Sequence, residues 1–315
     1  MDSRTVTTAQ NSVDQSDAAS TLLHGLIDYA GLFPPASLAM ENTVTNYGEY
    51  SRSEWSWILG RLIVPVSRLP EFEKAQAASP VPYTSAGAKW RISALLGANP
   101  NVDLKSISEF NTRMQNSLSP MGVTVESVEL KVANREDITH LSSIIAPEFQ
   151  TYFEIPQSDN AGCIAAVAAS GRRAKLRTGG ETADKFPASE SVVEFMRLCA
   201  ASNVPFKATA GLHHPLRSIH RFTYQPDSPL GMMHGFLNVF LAAAFLRSGM
   251  DAKVATQLLE EKSPQAFNFD LDGVTWRDYR LSQREIAAAR HTFAISFGSC
   301  SFTEPIDDLQ SLHLL

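Results

Sequence analysis

The sequence has few cysteines, no long apolar run and no excess of positive charge. Its 315 residues include Cys163, Cys199 and Cys300, an odd number without C-x-x-C spacing. This argues against a disulfide framework or a zinc site, so we predict a protein of the reducing cytoplasm. The net charge of −6 comes without a basic block, which argues against a nucleic-acid partner. The most apolar stretch, residues 232–246, is too short to span a bilayer, so we predict a buried helix and no membrane partner.

The composition and the order of apolar segments favour one α/β domain. Hydrophobic residues make up 44% of the chain and charged residues 19%, as in ordinary globular proteins. Residues 1–20 are polar and are predicted to be a disordered tail. Strands are predicted at residues 25–30, 61–66, 90–97, 125–133, 150–155, 174–178, 205–210 and 293–298. Helical patterns follow most of them, so we predict a closed (β/α)8 TIM barrel over residues 21–315, with an open doubly wound sheet as the alternative.

About 80 residues between the seventh and eighth predicted strands exceed what a minimal barrel needs. They contain the apolar helix at 232–246, a second helix near 252–262 and a hairpin that turns at Asp272-Gly273. We predict a helical and hairpin insertion at about 218–290, packed beside or over the barrel mouth, where Asp270 and Asp272 would reach the site. Residues 266–271 are an alternative for the eighth strand.

Two lysines open neighbouring predicted strands. Lys175 begins the segment Lys-Leu-Arg-Thr-Gly-Gly, and Lys207 begins Lys-Ala-Thr-Ala-Gly. Residues 189–202 between them have helical spacing. A strand–helix–strand unit of this length is a right-handed crossover, so the two strands are parallel and their carboxyl ends share one face. Two ammonium groups held close there raise each other's cost of being charged, which makes a lysine nucleophilic near neutral pH.

Strand parity predicts a charged barrel interior. In the predicted strands, apolar residues alternate with charged ones, and the apolar set suits the outer helices. The charged set then faces the lumen: Asp28, Glu129, Glu154, Lys131, Lys175, Arg177 and Lys207. A barrel built for stability alone fills its lumen with Val, Ile and Leu, and buried charges must pair or face a wet pocket. A satisfied internal salt-bridge network is the alternative to a functional site.

Four segments match, in order, the motifs of a known enzyme family. Leu26-Ile27-Asp28-Tyr29 resembles its first-strand I-D-H-T. The Lys175 segment resembles its Schiff-base strand K-T-S-T-G, and the Lys207 segment resembles its second-lysine strand K-x-x-G-G. Phe297-Gly298-Ser299-Cys300-Ser301 is similar to its closing F-G-A-S-S loop, which is why the eighth strand is placed at 293–298. The chain thus resembles deoxyribose-phosphate aldolase, a class I Schiff-base aldolase on a (β/α)8 barrel.

The resemblance implies an activity and three catalytic roles. Lys175 would form an imine with a small carbonyl substrate, Lys207 would lower the pKa of Lys175, and Glu129 would join the proton relay. An imine needs an uncharged amine, and the protonated imine is an electron sink for making or breaking a C–C bond. We therefore expect an aldolase-type lyase that uses no cofactor and no metal, whose oligomeric state the sequence leaves open.

The resemblance also suggests a substrate-binding set. Backbone amides of Gly179, Gly180 and Gly211, with the Ser301 hydroxyl, are predicted to cradle an anion. Arg177 stands where the family has a small serine and adds a fixed cation, so a carboxylate or a phosphate on the substrate both suit the site. The predicted set is Asp28, Lys131, Glu154, Arg177, Thr178, Gly179, Gly180, Thr209, Gly211, His213, His214, Ser299, Cys300 and Ser301.

Two other classes of function stay open at this point. A metal-assisted hydrolase or isomerase would use His213 or His214 with Glu154, although adjacent histidines on an extended segment point in different directions. A non-catalytic barrel would keep only the anion-binding loop. Cys300 precedes a helix start, which lowers a thiol pKa, but the sequence identifies no base beside it, so it is assigned to the anion loop.

Overall fold

The computed structural model describes residues 17–79, 90–116 and 122–315. Its strands are β1 Ile27–Tyr29, β2 Leu59–Pro65, β3 Trp90–Leu95, β4 Val123–Lys131, β5 Gln150–Glu154, β6 Arg173–Arg177, β7 Phe206–Thr209, β8 Ser218–Arg221, β9 Leu230–Met233, β10 Phe267–Phe269, β11 Gly273–Trp276, β12 Tyr279–Ser282 and β13 Ala294–Ser299. Its α-helices are α1 Ala18–Leu23, α2 Met40–Tyr50, α3 Leu69–Ala78, α4 Pro100–Asn116, α5 Arg135–Ile144, α6 Asn160–Ala169, α7 Ser189–Ala201, α8 Phe236–Arg247, α9 Ala252–Leu259, α10 Gln283–Thr292 and α11 Thr303–Ser311.

Eight parallel strands close into a barrel in the order β1-β13-β7-β6-β5-β4-β3-β2. The predicted (β/α)8 fold is confirmed, and the open-sheet alternative is wrong. β13 closes the barrel because it lies between β1 and β7: Phe297 pairs with Ile27 on one side and with Ala208 on the other. The placement of the eighth strand at 293–298 is therefore confirmed, and the alternative at 266–271 is wrong, since β10 belongs to a separate sheet.

The helices cover the barrel through the apolar stripes that the sequence shows. In α7, Val192, Phe195 and Met196 share the buried face. Phe195 meets Phe206 of β7 edge-on, with ring centroids 5.6 Å apart, and Phe206 meets Phe293 in the same way at 5.2 Å. Each fully buried aromatic side chain of this kind stabilises the fold by roughly 1.5–3 kcal/mol. The strand faces that carry charge are consequently left to the lumen.

The insertion has two separate parts. The antiparallel hairpin of β8 and β9 lies at the carboxyl ends of the barrel strands, where Phe222 and Met233 line the mouth. The sheet of β10, β11 and β12 packs instead beside α1 and α10. Asp270, predicted to reach the mouth, ion-pairs with Arg280 at 2.8 Å and accepts a hydrogen bond from Ala18 through its carbonyl. Of the insertion predicted at the barrel mouth, the β8–β9 hairpin thus lies there, whereas Asp270 does not line the cavity.

Helix α8 is apolar all round because other elements surround it. It packs against α7, α9, α10 and β13. Its buried amide, Asn238, donates to the carbonyls of Leu258 and Glu261 at 2.9 Å each. The predicted buried helix is confirmed in position. Across the described ranges, no helix combines the length and the apolar character that crossing a membrane requires.

The segment predicted to be a disordered tail contains the start of helix α1. Residues 1–16 lie outside the described residues, but α1 begins at Ala18, inside the segment predicted as disordered. Asp17 caps this helix by accepting a hydrogen bond from the Ser20 amide at 2.7 Å. A helix of six residues depends on tertiary packing rather than on its own periodicity, and α1 packs on α10.

Candidate active site

Five of the seven charged side chains that strand parity directed to the lumen meet inside the barrel, whereas Lys131 and Arg177 are exposed at its mouth. We call Asp28, Glu129, Glu154, Lys175 and Lys207 the lumen cluster; each is at most 7% exposed. The parallel register sets three of them at neighbouring levels, because Glu154 pairs with Lys175 and Lys175 pairs with Lys207 across β5, β6 and β7. Their side chains therefore project to the same side of adjacent strands.

Lys207 is held between two carboxylates at the bottom of the cluster. Its Nζ lies 2.6 Å from Asp28 Oδ2 and 2.6 Å from Glu129 Oε1. Burial lowers the pKa of Lys207, but the attraction of Asp28 and Glu129 outweighs burial and raises the pKa above its ordinary value. The expectation that two neighbouring amines depress each other's pKa is therefore wrong for Lys207. Carboxylates contact its ammonium group directly, and their attraction outweighs any repulsion from the other lysine.

Lys175 occupies the upper position and reaches open space. Its Nζ lies 3.0 Å from Glu129 Oε2 and 3.1 Å from Glu154 Oε2. Glu154 also accepts a hydrogen bond from Arg177 Nε at 2.9 Å through its other oxygen. Lys175 lines a cavity at the carboxyl ends of the strands, whereas Lys207 does not. Active sites of TIM-barrel enzymes lie at this face.

Glu129 and Glu154 stay ionised. Burial raises the pKa of Glu129, but Lys207 and Lys175 more than offset it and hold the pKa well below its usual range. Burial likewise raises the pKa of Glu154, while Lys175 and Arg177 lower it further than burial raises it. The adjacent ammonium and guanidinium groups thus hold both glutamates in their charged form.

Two serines that the sequence analysis missed complete the cluster. Ser93 of β3 donates to Glu129 Oε1 at 2.6 Å, and Ser296 of β13 donates to Asp28 Oδ2 at 2.7 Å. Both are buried polar residues inside otherwise apolar strands. A buried polar residue needs a hydrogen-bond partner. A serine on the lumen face of a strand was therefore the signal in the sequence for these two contacts.

The cavity above Lys175, which we call the Lys175 cavity, has a volume of about 740 Å³. It brings together ten of the predicted site residues. They are Glu129, Lys131, Glu154, Lys175, Arg177, Gly180, Thr209, Gly211, His213 and Cys300. The cavity wall also contains apolar residues that the sequence analysis did not select, among them Ile63, Leu95, Phe222 and Met233. The other predicted site residues lie outside the wall: Asp28, Thr178, Gly179, Lys207, His214, Ser299 and Ser301.

Thr178 and Gly179 fasten two loops together. The Thr178 hydroxyl donates to the Ala210 carbonyl at 2.7 Å. A Cβ on Gly179 would lie 2.5 Å from the Phe186 ring and 2.8 Å from the Gly211 Cα. Gly211 has a φ of +72°, a conformation that glycine adopts without strain. Thr178 and Gly179 therefore support the cavity wall without lining it. Their position gives no support to the prediction that they contact substrate.

The serines of the closing loop serve the loop itself. The Ser299 hydroxyl is buried and accepts from the Ser301 amide at 3.4 Å. The Ser301 hydroxyl accepts from the Glu304 amide at 3.1 Å, next to the start of α11. Neither reaches the cavity wall, so the predicted anion cradle lacks the hydroxyl assigned to it. A loop motif in the sequence does not show which way its hydroxyl groups turn.

The adjacent histidines point in different directions, as predicted. His213 lines the Lys175 cavity, and its Nδ1 lies 3.2 Å from Glu304 Oε2. Burial lowers the pKa of His213, but Cys300 and Glu304 raise it to about 9, so the ring is charged at neutral pH. His214 turns away, with its Nδ1 2.6 Å from Asp308 Oδ2. His213 is also the basic group beside Cys300 that the sequence analysis did not find, since distant segments bring the two together.

No arrangement of metal ligands is present among the residues that the structure describes, where three or more His, Cys, Asp or Glu side chains would have to converge. His213 and Glu154 both line the Lys175 cavity, whereas His214 does not. The pair of side chains that remains for a metal-assisted reaction is therefore His213 with Glu154.

Comparison of the sequence with protein-family profiles gives no match, and comparison with curated proteins gives none. The resemblance to deoxyribose-phosphate aldolase therefore rests on the motif residues alone and stays a prediction. The fold and the geometry of the lumen cluster stand independently of it.

The lumen cluster predicts how stability depends on pH. The folded-state pKa of Glu129 is depressed, so its stabilisation is present above about pH 4.3, the ordinary glutamate value, and is lost as the pH falls towards the folded-state value. Wild-type protein should lose about 1.5 kcal/mol more than Glu129→Gln between pH 5 and pH 3, as measured by urea unfolding. Lys207 has the opposite sign: its stabilisation is complete below about pH 10.4 and is lost at higher pH. Equal acid sensitivity of the two proteins would contradict this assignment.

Proposed function

We propose that this protein is an aldolase-type lyase in which Lys175 forms a Schiff base with a small carbonyl substrate, as in a divergent relative of deoxyribose-phosphate aldolase. One observation carries the proposal. Of the two lysines of the lumen cluster, Lys175 alone combines access to the cavity with two carboxylates at 3.0 and 3.1 Å. A carbonyl compound entering the cavity meets this amine and a proton acceptor at the same place.

The chemistry needs a proton to leave Lys175 and water to leave the adduct. Glu154, which also lines the cavity, accepts the ammonium proton, and the free amine adds to the substrate carbonyl to give a carbinolamine. Return of a proton to the carbinolamine hydroxyl expels water and leaves a protonated imine. This cation withdraws electrons from the neighbouring carbon, so the C–C bond one atom further can break or form. Glu129, on the other side of Lys175, serves the same proton relay.

Lys207 acts in this proposal as a positioning residue. It lies below the cavity and holds Glu129 through an ion pair of 2.6 Å. Because Lys207 keeps Glu129 ionised, the second oxygen of Glu129 remains directed at Lys175. The role of lowering the Lys175 pKa, which the resemblance suggested, is replaced by control of the carboxylate that Lys175 contacts.

The cavity wall favours a substrate with an anionic group. Besides Lys175, the wall has four basic side chains, those of Lys131, Arg177, Lys185 and His213. Among the described residues, its acidic side chains are three: Glu129, Glu154 and Glu181. The Arg177 side chain is 45% exposed and shares Glu154 with Lys175, so it retains hydrogen-bond donors for a ligand. Guanidinium and imidazolium groups bind carboxylate and phosphate through charge-assisted hydrogen bonds. We therefore propose a carbonyl compound that bears a carboxylate or a phosphate.

Reductive trapping tests the proposal directly. The protein is incubated with a panel of small aldehydes and 2-keto acids, with and without phosphate groups, and then treated with borohydride. We expect covalent mass on the Lys175 peptide, because hydride fixes the imine as a secondary amine. Lys175→Arg should take up no mass. Lys185→Arg, which changes another lysine of the same cavity, should be labelled at Lys175 like wild type.

Absence of labelling across the whole panel would contradict the Schiff-base proposal and favour a non-catalytic barrel. One observation supports that alternative: Asp28, Glu129 and Lys207 satisfy one another as ion pairs without any ligand. A metal-assisted reaction through His213 and Glu154 would instead show stoichiometric metal in the purified protein and sensitivity to chelators.

A further inference from the structure

A second cavity opens at the opposite end of the barrel. It has a volume of about 970 Å³ and lies among the residues at which the strands begin. Arg61 of β2, Arg91 of β3, Gln150 of β5 and Arg173 of β6 line it together with Arg290 of α10. None of these residues belongs to the Lys175 cavity. We call it the arginine cavity.

The wall of the arginine cavity has charges of one sign. Four arginines and two histidines line it, and among the described residues its wall contains neither aspartate nor glutamate. The basic residues are His24, Arg61, Arg91, Arg173, Arg290 and His291. In a chain with a net charge of −6, this concentration of guanidinium groups is not an effect of composition.

Carboxylates close to the cavity do not balance these charges. Arg61 and Arg91 share a single partner, because both place Nε 2.8 Å from the same oxygen of Glu126. Arg173 contacts the Tyr152 hydroxyl at 3.3 Å and has no carboxylate within ion-pair distance in the described part of the chain. Among the described residues, Glu126 is thus the one carboxylate in an ion pair with these four guanidinium groups, while the buried Asp28 attracts Arg61 and Arg290 from a greater distance.

Arg290 makes the imbalance sharper. Its guanidinium donates to backbone carbonyls, including those of Leu22 and His24 at 2.7 and 3.0 Å, and none of its hydrogen bonds reaches a carboxylate. Burial lowers the pKa of Arg290 to about 10. A cation removed from water with no carboxylate in contact is costly, so an anion entering the cavity is stabilised by charge that is already in place.

We propose that the arginine cavity is a binding site for a small anion with two or more phosphate or carboxylate groups. Guanidinium groups bind both kinds of oxyanion in a planar, two-point geometry. Their spread over several strands suits a ligand with more than one charged group, and the indole of Trp57 in the same wall suits an organic portion. This site is separate from the proposed Schiff-base chemistry.

The site is tested with pyrophosphate and citrate as the two probes, by calorimetric titration of the full-length protein at constant ionic strength. We expect saturable binding of at least one probe; the stronger one tells whether phosphate or carboxylate is preferred. Arg173→Gln should weaken binding by about tenfold, because a charge-assisted contact is lost. Arg91→Gln, whose side chain is 49% exposed, should act in the same direction without affecting folding.

A matched control separates the two cavities. Arg177→Gln removes a guanidinium from the Lys175 cavity, so it should weaken only a probe that binds there and should leave the site that responds to Arg91→Gln and Arg173→Gln occupied. Circular dichroism shows whether each variant is folded. Lack of saturable binding by both probes would overturn the proposal, as would binding that Arg177→Gln abolishes while Arg91→Gln and Arg173→Gln retain it. Neither result depends on whether Lys175 forms an imine.

Discussion

Replacing Lys207 with methionine is expected to lower the free energy of unfolding by about 3–5 kcal/mol, because removing one partner of a buried ion pair leaves the other charge uncompensated. Lys207 is 1% exposed and is the cation nearest to both Asp28 and Glu129. Methionine has a similar length and fills the space, so the loss reports charge rather than a cavity. Denaturant unfolding monitored by circular dichroism measures the change.

Two further variants make the interpretation specific. Lys185→Met removes a lysine whose side chain is 56% exposed and should change stability by less than about 1 kcal/mol. Adding Asp28→Asn to Lys207→Met removes the stranded charge, so the double variant should be more stable than Lys207→Met by about 0.5–3 kcal/mol. If the second substitution only adds its own cost, the ion pair between Lys207 and Asp28 is not what stabilises the lumen.

Replacing Lys175 with cysteine is expected to reduce kcat/KM on a trapped substrate on the order of 10⁴-fold or more, as removal of a catalytic nucleophile does in other enzymes. Treatment of this variant with bromoethylamine restores an amine of nearly the original length and should recover part of the rate. Lys175→Arg keeps the charge beside Glu129 and Glu154 but has no nucleophilic amine, so it should stay inactive.

The controls distinguish chemistry from structure. Wild-type protein receives the same bromoethylamine treatment, because Cys300 lines the same cavity and the effect of its modification on the rate has to be measured separately. A merely structural role for Lys175 would be shown by an active Lys175→Arg. Restoration of the rate by the aminoethyl group, with no restoration in an untreated sample, assigns the reaction to the amine.

The sequence was sufficient for the barrel and for the faces of its strands. All eight predicted strands overlap the observed ones, because buried parallel strands are short apolar runs that end at glycine, proline or polar residues. The parity of β4, β5 and β6 also placed Glu129, Glu154 and Lys175 together in the lumen. A period of two allows only two choices for each strand, and covering helices decide between them.

The sequence was not sufficient for the electrostatics of the cluster. The parity argument brought Lys207 and Lys175 to one region but gave no distances, and the sign of a pKa shift depends on which neighbour is closest. Asp28 lies far from Lys207 in the chain yet 2.6 Å away in space. The division of the insertion into a hairpin at the barrel mouth and a sheet beside α1 was also hidden, since packing on α1 involves residues with no local pattern.

The way Glu129 bridges the two lysines has a consequence for the energy of the reaction. Asp28, Glu129 and Glu154 face Lys175, Lys207 and Arg177 through ion pairs, three of each sign. A protonated imine on Lys175 carries the same single positive charge as the ammonium that it replaces. If Lys175 reacts as proposed, the interior of the barrel would carry the same charge before and after Schiff-base formation, so its fixed dipoles would need little reorganisation around the covalent intermediate.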